Sequence, residues 1–535
     1  MDLNYRFQFE DPSYREAADP VCEYFKGKYY LFASHSGGYW SSPDLKAWKY
    51  IPCQSIAELN NYAPSILIRN DSLYFVASGS SIYRTANPDV DAWERLDTKL
   101  RLIDKSTDPY TDPDLFQDDN GKVYFYWGCN DKKPIYGVEV NPLDGFAPVG
   151  EPVMLITHNQ DKYGWEVQGE NNELGTPGWN EGPALLKHNG KYYLQYASPG
   201  TQYRIYGDGV YVADNPLGPY TYMKNSPFSF KPGGFIGGAG HGHTFKDKYG
   251  NYWHVATMKI SQRHMFERRL GLFPVYITAD GTFKEHTVWT DYPFTIPGKK
   301  IDFEKNDLST GWNLLSYDKP VLASSFQLGF LPSYAVNEKV ENWWSAQTGK
   351  PGEWLQVDLK KKQEIRAIQV NFADQDFTIH APHPLFVYQY KIEASDDGEK
   401  WETIVDKTHN TKDAVHELVV LKKAVKARYL RITNTKELPG KFSLYGFRVF
   451  GKGKGDLPQQ VTGVNVKRNP DDPRRFAISW NRQKQADGYI IHVRGEKDQL
   501  LNVIMVHDNR YEGGWFSQDS NYSFTVEAFN ENGIK

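Results

Sequence analysis

The stretch Asn180-Glu181-Gly182-Pro183-Ala184-Leu185-Leu186-Lys187-His188-Asn189-Gly190-Lys191-Tyr192-Tyr193-Leu194 sets a carboxylate and a Gly-Pro turn just ahead of a tyrosine-rich strand. The same unit recurs at Gly27-Lys28-Tyr29-Tyr30-Leu31, Asp71-Ser72-Leu73-Tyr74-Phe75, Gly121-Lys122-Val123-Tyr124-Phe125 and Gly250-Asn251-Tyr252-Trp253-His254. Aligned on Tyr30, Tyr74, Tyr124, Tyr193 and Trp253, the five copies stand 44, 50, 69 and 60 residues apart. Short β-rich segments at that period, with no long helical pattern, predict an all-β chain opening with a five-bladed β-propeller, one copy per blade.

Reading back eleven or twelve residues from each aromatic anchor gives Asp19, Ala63, Asp112, Glu181 and His241. The start of a blade's innermost strand lines the central channel, so these side chains are expected to converge on the axis. Three carboxylates and a histidine crowded into one partly desolvated cavity are costly, and a purely structural ring has no need of them. Taken singly, Asp-Pro and Glu-Gly-Pro are ordinary turn sequences. Their shared phase in a repeat is what points to chemistry.

Length and composition bound the rest. A chain of 535 residues exceeds a single core and predicts several domains. With 24% charged residues, a net charge of −4 and no basic block, the sequence argues against a nucleic-acid partner. No stretch approaches the ~20 apolar residues of a membrane span. Aromatic residues make up 15%. They suit strands, and they also stack on sugar rings. Cys22, Cys53 and Cys129 are odd in number and lack metal-ligand spacing, so they are read as buried thiols. No signal peptide opens the chain, and Met1-Asp2-Leu3 reads as a mature start behind an added methionine.

The first domain is placed at 1–298, with outer strands around Trp40 and Gly209. Segment 155–183, carrying Trp165, Glu166, Glu170, Glu173 and Trp179, is longer than a blade connection needs. It either walls the pocket or is a surface excursion. Residues 306–452 change to short alternating strands, exemplified by Gly352-Glu353-Trp354-Leu355-Gln356-Val357-Asp358-Leu359 and Ala427-Arg428-Tyr429-Leu430-Arg431-Ile432. Gly451-Lys452-Gly453-Lys454-Gly455-Asp456 reads as a flexible linker. A third unit, 458–535, follows.

Residues 15–285 resemble glycoside hydrolase family 43 in the Ala-Asp-Pro opening, the mid-chain Asp-Pro before a strand, Glu-Gly-Pro, and Gly-His ahead of a last blade. The resemblance implies that Asp19 is the general base, Glu181 the general acid, and Asp112 the carboxylate that tunes and orients the acid. Substrate contacts are assigned to Trp40, Tyr62, Trp179, His241 and Arg268, with Arg269 close enough to confuse with Arg268. His241 matches a channel histidine that in many members lies near a bound calcium or water cluster. No cofactor is required, and a structural calcium near His241 is the one metal implied. Two departures stand out: Tyr62-Ala63-Pro64 where Trp-Ala-Pro is common, and His243 where a small polar residue is usual. Segment 306–452 is similar to the discoidin, or coagulation factor 5/8 C-terminal, β-sandwich jelly roll. Its Trp354 and Trp401 are read as core. The domain either binds glycan or packs on the propeller. Segment 458–535 resembles a fibronectin type III sandwich, with Trp480 and Tyr522 as core signatures.

The chemistry explains the trio. Glycosidic cleavage passes through an oxocarbenium-like state, so one group protonates the leaving oxygen while another delivers water. The acid must hold its proton near neutral pH, and a nearby ionised carboxylate keeps it there by repulsion. The resemblance implies an inverting, exo-acting hydrolase releasing terminal pentoses from plant cell-wall polysaccharide side chains. An α-L-arabinofuranosidase is the first reading and a β-D-xylosidase the second. Galactofuranosidase or exo-galactanase activity, and a catalytically silent glycan-binding propeller, are the alternatives. A retaining fructan-processing propeller shares the architecture, but its Trp-Met-Asn-Asp-Pro opening and Glu-Cys acid are missing. A monomer, secreted to the periplasm or cell surface of a bacterium, is expected.

Overall fold

The structure is a computed structural model that describes residues 1, 3–8, 11, 13–100, 110–260, 263–379 and 386–535. Among the described residues the regular elements are strands and three short 3-10 turns. No helix is long and apolar enough to cross a membrane.

Five antiparallel meanders follow one another along the first half of the chain. They begin with the strands Ala18–Phe25, Ser65–Arg69, Asp114–Gln117, Asn180–His188 and Gly237–Lys246. These innermost strands touch in a ring, first to second and onward, with the fifth packed back on the first. Each meander has at least four strands, and the fourth gains Cys129–Asn130 at its inner edge. The repeated aromatic anchors are buried between sheets, as Tyr30, Tyr74, Tyr124, Tyr193 and Trp253 all show. Burying each ring is worth ~2–3 kcal/mol, so the repeat is first of all a packing device.

The second half forms one eight-stranded sheet system whose two longest strands are Trp354–Phe372 and His416–Asn434. Both contain register shifts near Asp358–Ala367, which bend them so that each serves both faces of a sandwich. Two further sheets follow. One is Asn465–Arg468, Phe476–Ser479 and Arg510–Gly513; the other is Leu500–Val506, Gly488–Arg494, Ser523–Asn530 and Gly533–Ile534.

Neither C-terminal unit hangs free. One continuous apolar core joins Tyr5, Phe7, Trp40 and Leu270 to Leu355, Phe372, Phe377 and Tyr388. A second joins Tyr196 and Phe230 to Phe476, Trp480 and Phe516. Charges cross the first boundary too. Arg15 donates to Asp374 at 2.9 Å and Asp413 at 2.7 Å, all three being buried. Segment 155–183 is pinned by the last unit: Gly164 N–H donates to Phe516 O at 3.0 Å, and Arg475 donates to Asn171 O and Asn172 O.

Three expectations change here. Trp40, read as a sugar contact, is 1% exposed in that shared core, its indole N–H 2.6 Å from Asn4 Oδ1. The third strand of a blade faces the neighbouring sheets, not the channel, so Trp40 presents no ring face to substrate. Trp354 and Trp401 are only half-buried. They sandwich the Arg431 guanidinium at 4.6 and 4.0 Å from the ring centres instead of filling the core. The glycine-rich stretch after Gly451 is tied down: Gly453 N–H donates to Glu531 O, and Asp456 O accepts from Asn530 and Asn532.

Candidate active site

Each inner strand enters the ring through a backbone kink. Asp19, Ala63, Asp112, Gly182 and His241 have φ of 50°, 54°, 49°, 59° and 46°. The left-handed region costs a residue with a side chain ~1–2 kcal/mol. Ala63 accepts that cost with no functional group to offer, so the kink belongs to the architecture. Strand register confirms the equivalence. Val21↔Phe32, Ser65↔Val76, Asp114↔Tyr126, Ala184↔Gln195 and His243↔Val255 are corresponding pairs, each two residues past its kink.

Glu181 therefore lies one residue before the position that Asp19 and Asp112 occupy. The reason is steric. A Cβ at residue 182 would come within 2.6 Å of the His241 ring, so the kinked position in the fourth sheet must be glycine. The carboxylate arrives from the preceding residue instead.

The kinks are pinned across blade junctions. Asp19 N–H donates to Thr257 Oγ1 at 2.7 Å, Ala63 N–H to Ser34 Oγ at 2.7 Å, and Asp112 N–H to Ser78 Oγ at 2.9 Å. Thr257, Ser34 and Ser78 each stand two residues past the corresponding paired residue on their blade's second strand. In the fourth sheet that position is Ala197, and Asp208 serves instead, accepting from His241 N–H at 2.7 Å and Gly242 N–H at 2.9 Å.

Around this frame the predicted trio gathers. Asp19 accepts from Ser34 Oγ at 2.7 Å and from Arg268 Nη1 at 3.2 Å. Burial alone would raise its pKa, but Arg268, His241 and Ser34 outweigh burial and hold the carboxyl below the ordinary range. Glu16 accepts from Arg268 Nε at 2.9 Å and fixes that guanidinium. His241 Nδ1 sits 3.5 Å from Asp19 and 3.7 Å from Asp112. Burial opposes a charge on it, yet Asp19, Asp112, Glu181 and Asp208 together push its pKa up.

Asp112 is pushed up to about 7, first by burial and then by repulsion from Glu181 and Asp19, with His241 opposing. Glu181 accepts from Tyr206 Oη on one oxygen and from Cys129 Sγ at 3.1 Å on the other. The two carboxyls and the thiol bring donor atoms within 4.8 Å of one another. Asp112 is thus the carboxyl that keeps a proton to near neutrality before sugar arrives.

Tyr62 stands at the rim, 39% exposed, and Trp179, two residues before Glu181, is 38% exposed. Tyr62 lies between His35 and Phe266, with ring centres 4.3 and 6.0 Å away, and the Arg268 guanidinium 5.9 Å from its ring. The two pairs of neighbours that sequence left ambiguous separate cleanly. Arg268 turns inward while Arg269 donates to His416 in the following domain at 2.9 Å. His241 lies among the carboxylates, while His243 is 3.8 Å from Glu23 and is held neutral by burial, its pKa lowered to about 3. Segment 155–183 divides too: Trp165 and Glu166 are buried, and Trp179 is exposed.

Sequence reasoning missed Ser34, Thr257, Glu16, Tyr206, Asp208 and Cys129. The hydroxyls at one phase of the second strands were a readable signal; Tyr206 and Asp208 come from an unpatterned loop and a third strand. Calcium takes six to eight oxygens. Near His241 the protein oxygens on offer are those of Asp19, engaged by Ser34 and Arg268, and of Asp112 and Glu181 beside the Cys129 thiol, with waters able to complete a shell. No step below runs through a metal.

Residues 13–283 match the model for glycosyl hydrolases family 43, about half of the chain, and residues 320–446 match the F5/8 type C domain. The chain is similar to an Aspergillus niger protein named β-D-galactofuranosidase xynD, 26% identical over 259 residues, 42% of this chain and 68% of that one. It is similar to an arabinoxylan arabinofuranohydrolase of Bacillus subtilis, 30% identical over 218 residues, 36% of this chain and 40% of that one. The match thus spans well under two thirds of the Bacillus protein's length. Among solved structures, a thermostable family-43 glycoside hydrolase superposes with a TM-score of 0.45 at 23% identity, over 53% of this chain and 97% of that one. With the family model covering the ring and its kinked carboxylates, the chain belongs to glycoside hydrolase family 43 and is a glycosidase carrying an F5/8 type C domain.

Proposed function

We propose that this enzyme is an inverting, exo-acting hydrolase that releases terminal pentoses from plant polysaccharide side chains. The five meanders are read as the blades of a propeller, and the last two sheets as a fibronectin type III sandwich. The observation that carries the proposal is the asymmetry of charge in the pocket. Asp19 is locked as an anion by Arg268, His241 and Ser34, while Asp112, beside Glu181, keeps its proton to about pH 7. That is the division of labour an acid–base pair needs.

In this reading Asp19 takes a proton from a water, whose oxygen attacks the anomeric carbon. Glu181 delivers the retained proton to the leaving oxygen, Asp112 supplies it, and Tyr206 orients Glu181. An inverting geometry requires room for the water between base and acid, ~6.5–9.5 Å across. Tyr62 and Trp179 supply ring faces at the rim, and Arg268 a donor for sugar hydroxyls.

The first substrate is an α-L-arabinofuranoside and the second a β-D-xyloside. A galactofuranoside is the further reading, favoured by the relative named β-D-galactofuranosidase. Secretion to the periplasm or cell surface, and action as a monomer, accord with a polymeric substrate. A panel of 4-nitrophenyl arabinofuranoside, xyloside and galactofuranoside tests the sugar, and NMR of the first-formed anomer tests the stereochemistry. A product of retained configuration overturns the inverting assignment. Glu181→Ala is expected to lose most activity on poor leaving groups and to retain more on 4-nitrophenyl glycosides. Equal loss on both contradicts the acid role.

A further inference from the structure

Four of the five blade junctions hold the next blade's kinked residue with a side-chain oxygen from the blade before. Thr257, Ser34 and Ser78 do so from one phase, and Asp208 covers the junction where that phase holds Ala197. At the third-to-fourth junction the phase holds Gly128, which offers no side chain. The offset by one that moved the carboxylate from residue 182 to Glu181 reappears on the facing strand. Cys129, one residue past the phase, pairs with Glu181 in the sheet, and its Sγ lies 3.1 Å from Glu181 Oε2.

We infer that Cys129 is a positioning residue for the acid, its thiol holding Glu181 against Tyr206 and beside Asp112 through a weak hydrogen bond that is released when the sugar's leaving oxygen arrives. The inference rests on the reading of Glu181 as the acid. The groups facing Glu181 are Tyr206, Cys129, Asp112 and His241, with Asp19 and Asp208 behind them. Burial, Asp112 and Glu181 all push the Cys129 thiol far up, so it stays protonated and remains a donor throughout the working range. An S–H donates weakly. An ordinary hydroxyl in its place would favour the ionised carboxylate more strongly and make the proton harder to keep at the working pH.

The test uses the full chain and its Cys129→Ser, Cys129→Ala and Glu181→Gln variants. Each is assayed on the 4-nitrophenyl and methyl glycosides of the pentose the parent turns over, across pH. For Cys129→Ser the alkaline limb of kcat/KM on the methyl glycoside should move to lower pH by about half a unit. For Cys129→Ala, kcat on the methyl glycoside should fall about tenfold while the 4-nitrophenyl glycoside stays within about twofold, KM being unchanged on both. Profiles that superpose on the parent's overturn the inference. So does an equal loss on both glycosides accompanied by a lower melting temperature, because that is a packing effect. Glu181→Gln separates the two readings. If it discriminates between the glycosides and the Cys129 variants do not, only the role of Cys129 fails; if it does not discriminate, the acid assignment fails first.

Discussion

Arg268 and Arg269 are adjacent in the chain and serve opposite kinds of electrostatics. Arg269 faces the F5/8 type C domain, where Arg15 is matched by Asp374 and Asp413, Arg448 by Glu338, and His416 is kept neutral to accept from Arg269. Arg268 faces the pocket, where it is divided between Glu16 and Asp19, and one histidine, His241, stands between Asp19 and Asp112 with Glu181 beside them. Both regions bury charge, which by itself is weak evidence for function. The difference is balance. At the interface Asp374, Asp413 and Glu338 each touch an arginine, though burial still pushes Asp413 up to about 6, and the arrangement holds two domains together. In the pocket the carboxylates outnumber their partners, so one must keep a proton, and a proton kept near neutral pH can be given to a substrate.

Breaking the pocket should cost activity far more than stability. Asp19→Asn is expected to lower kcat about 10²–10⁴-fold, with a modest fall in melting temperature near neutral pH because the lost carboxylate is the one Arg268, His241 and Ser34 hold ionised. Near-parental turnover with the same variant would remove Asp19 as base. Breaking the interface should do the reverse. Arg15→Ala strands Asp374 and Asp413 in the core, a loss of ~3–5 kcal/mol, read as an earlier urea midpoint in the intact chain. Removing 306–535 exposes the shared core and should give aggregated protein; a soluble, active 1–305 fragment would show that the domains are separable after all.

A third variant sharpens the contrast through pH. Asp112 has an ordinary pKa of 3.8 and is pushed up to about 7 in the folded protein. A raised carboxyl contributes stability that is fully present below 3.8 and is lost as pH rises to about 7. Asp112→Asn should therefore leave the melting temperature unchanged at pH 4 and raise it at pH 8, the stability there rising by on the order of 1–4 kcal/mol, while activity falls. A melting curve that shifts equally at both pH values would mean the carboxyl is not strained. The smallest effect belongs to Trp40→Phe. It forfeits the hydrogen bond to Asn4 and part of the indole's packing, together ~1–3 kcal/mol, and should leave KM unchanged; a raised KM would restore Trp40 to the substrate site.

Much of the pocket was legible because a repeat carries positional information. Five aromatic anchors fixed the phase, and counting back placed Asp19, Asp112 and His241 on their kinks before any coordinates. The count was off by one at Glu181, because it ran to whichever residue bore a carboxylate; only the approach of His241 to Gly182 shows why the kink there must be bare. Trp40 was misassigned because an aromatic on an outer strand reads the same whether it meets sugar or a neighbouring sheet. Cys129, Tyr206 and Asp208 stayed hidden because their roles exist only across a junction between blades.

The sequence by itself determined that sheets of this period exist, that their first strands begin with acidic turns, and that three differently patterned segments follow one another. Those properties depend on local patterning: hydrophobic alternation, turn residues and spacing. Tertiary structure alone decided which arginine and which histidine turn inward, that the C-terminal units share cores with the ring, and which carboxyl keeps the proton. Each depends on distances between residues remote in the chain and on how much water their neighbours exclude, and a linear pattern records neither.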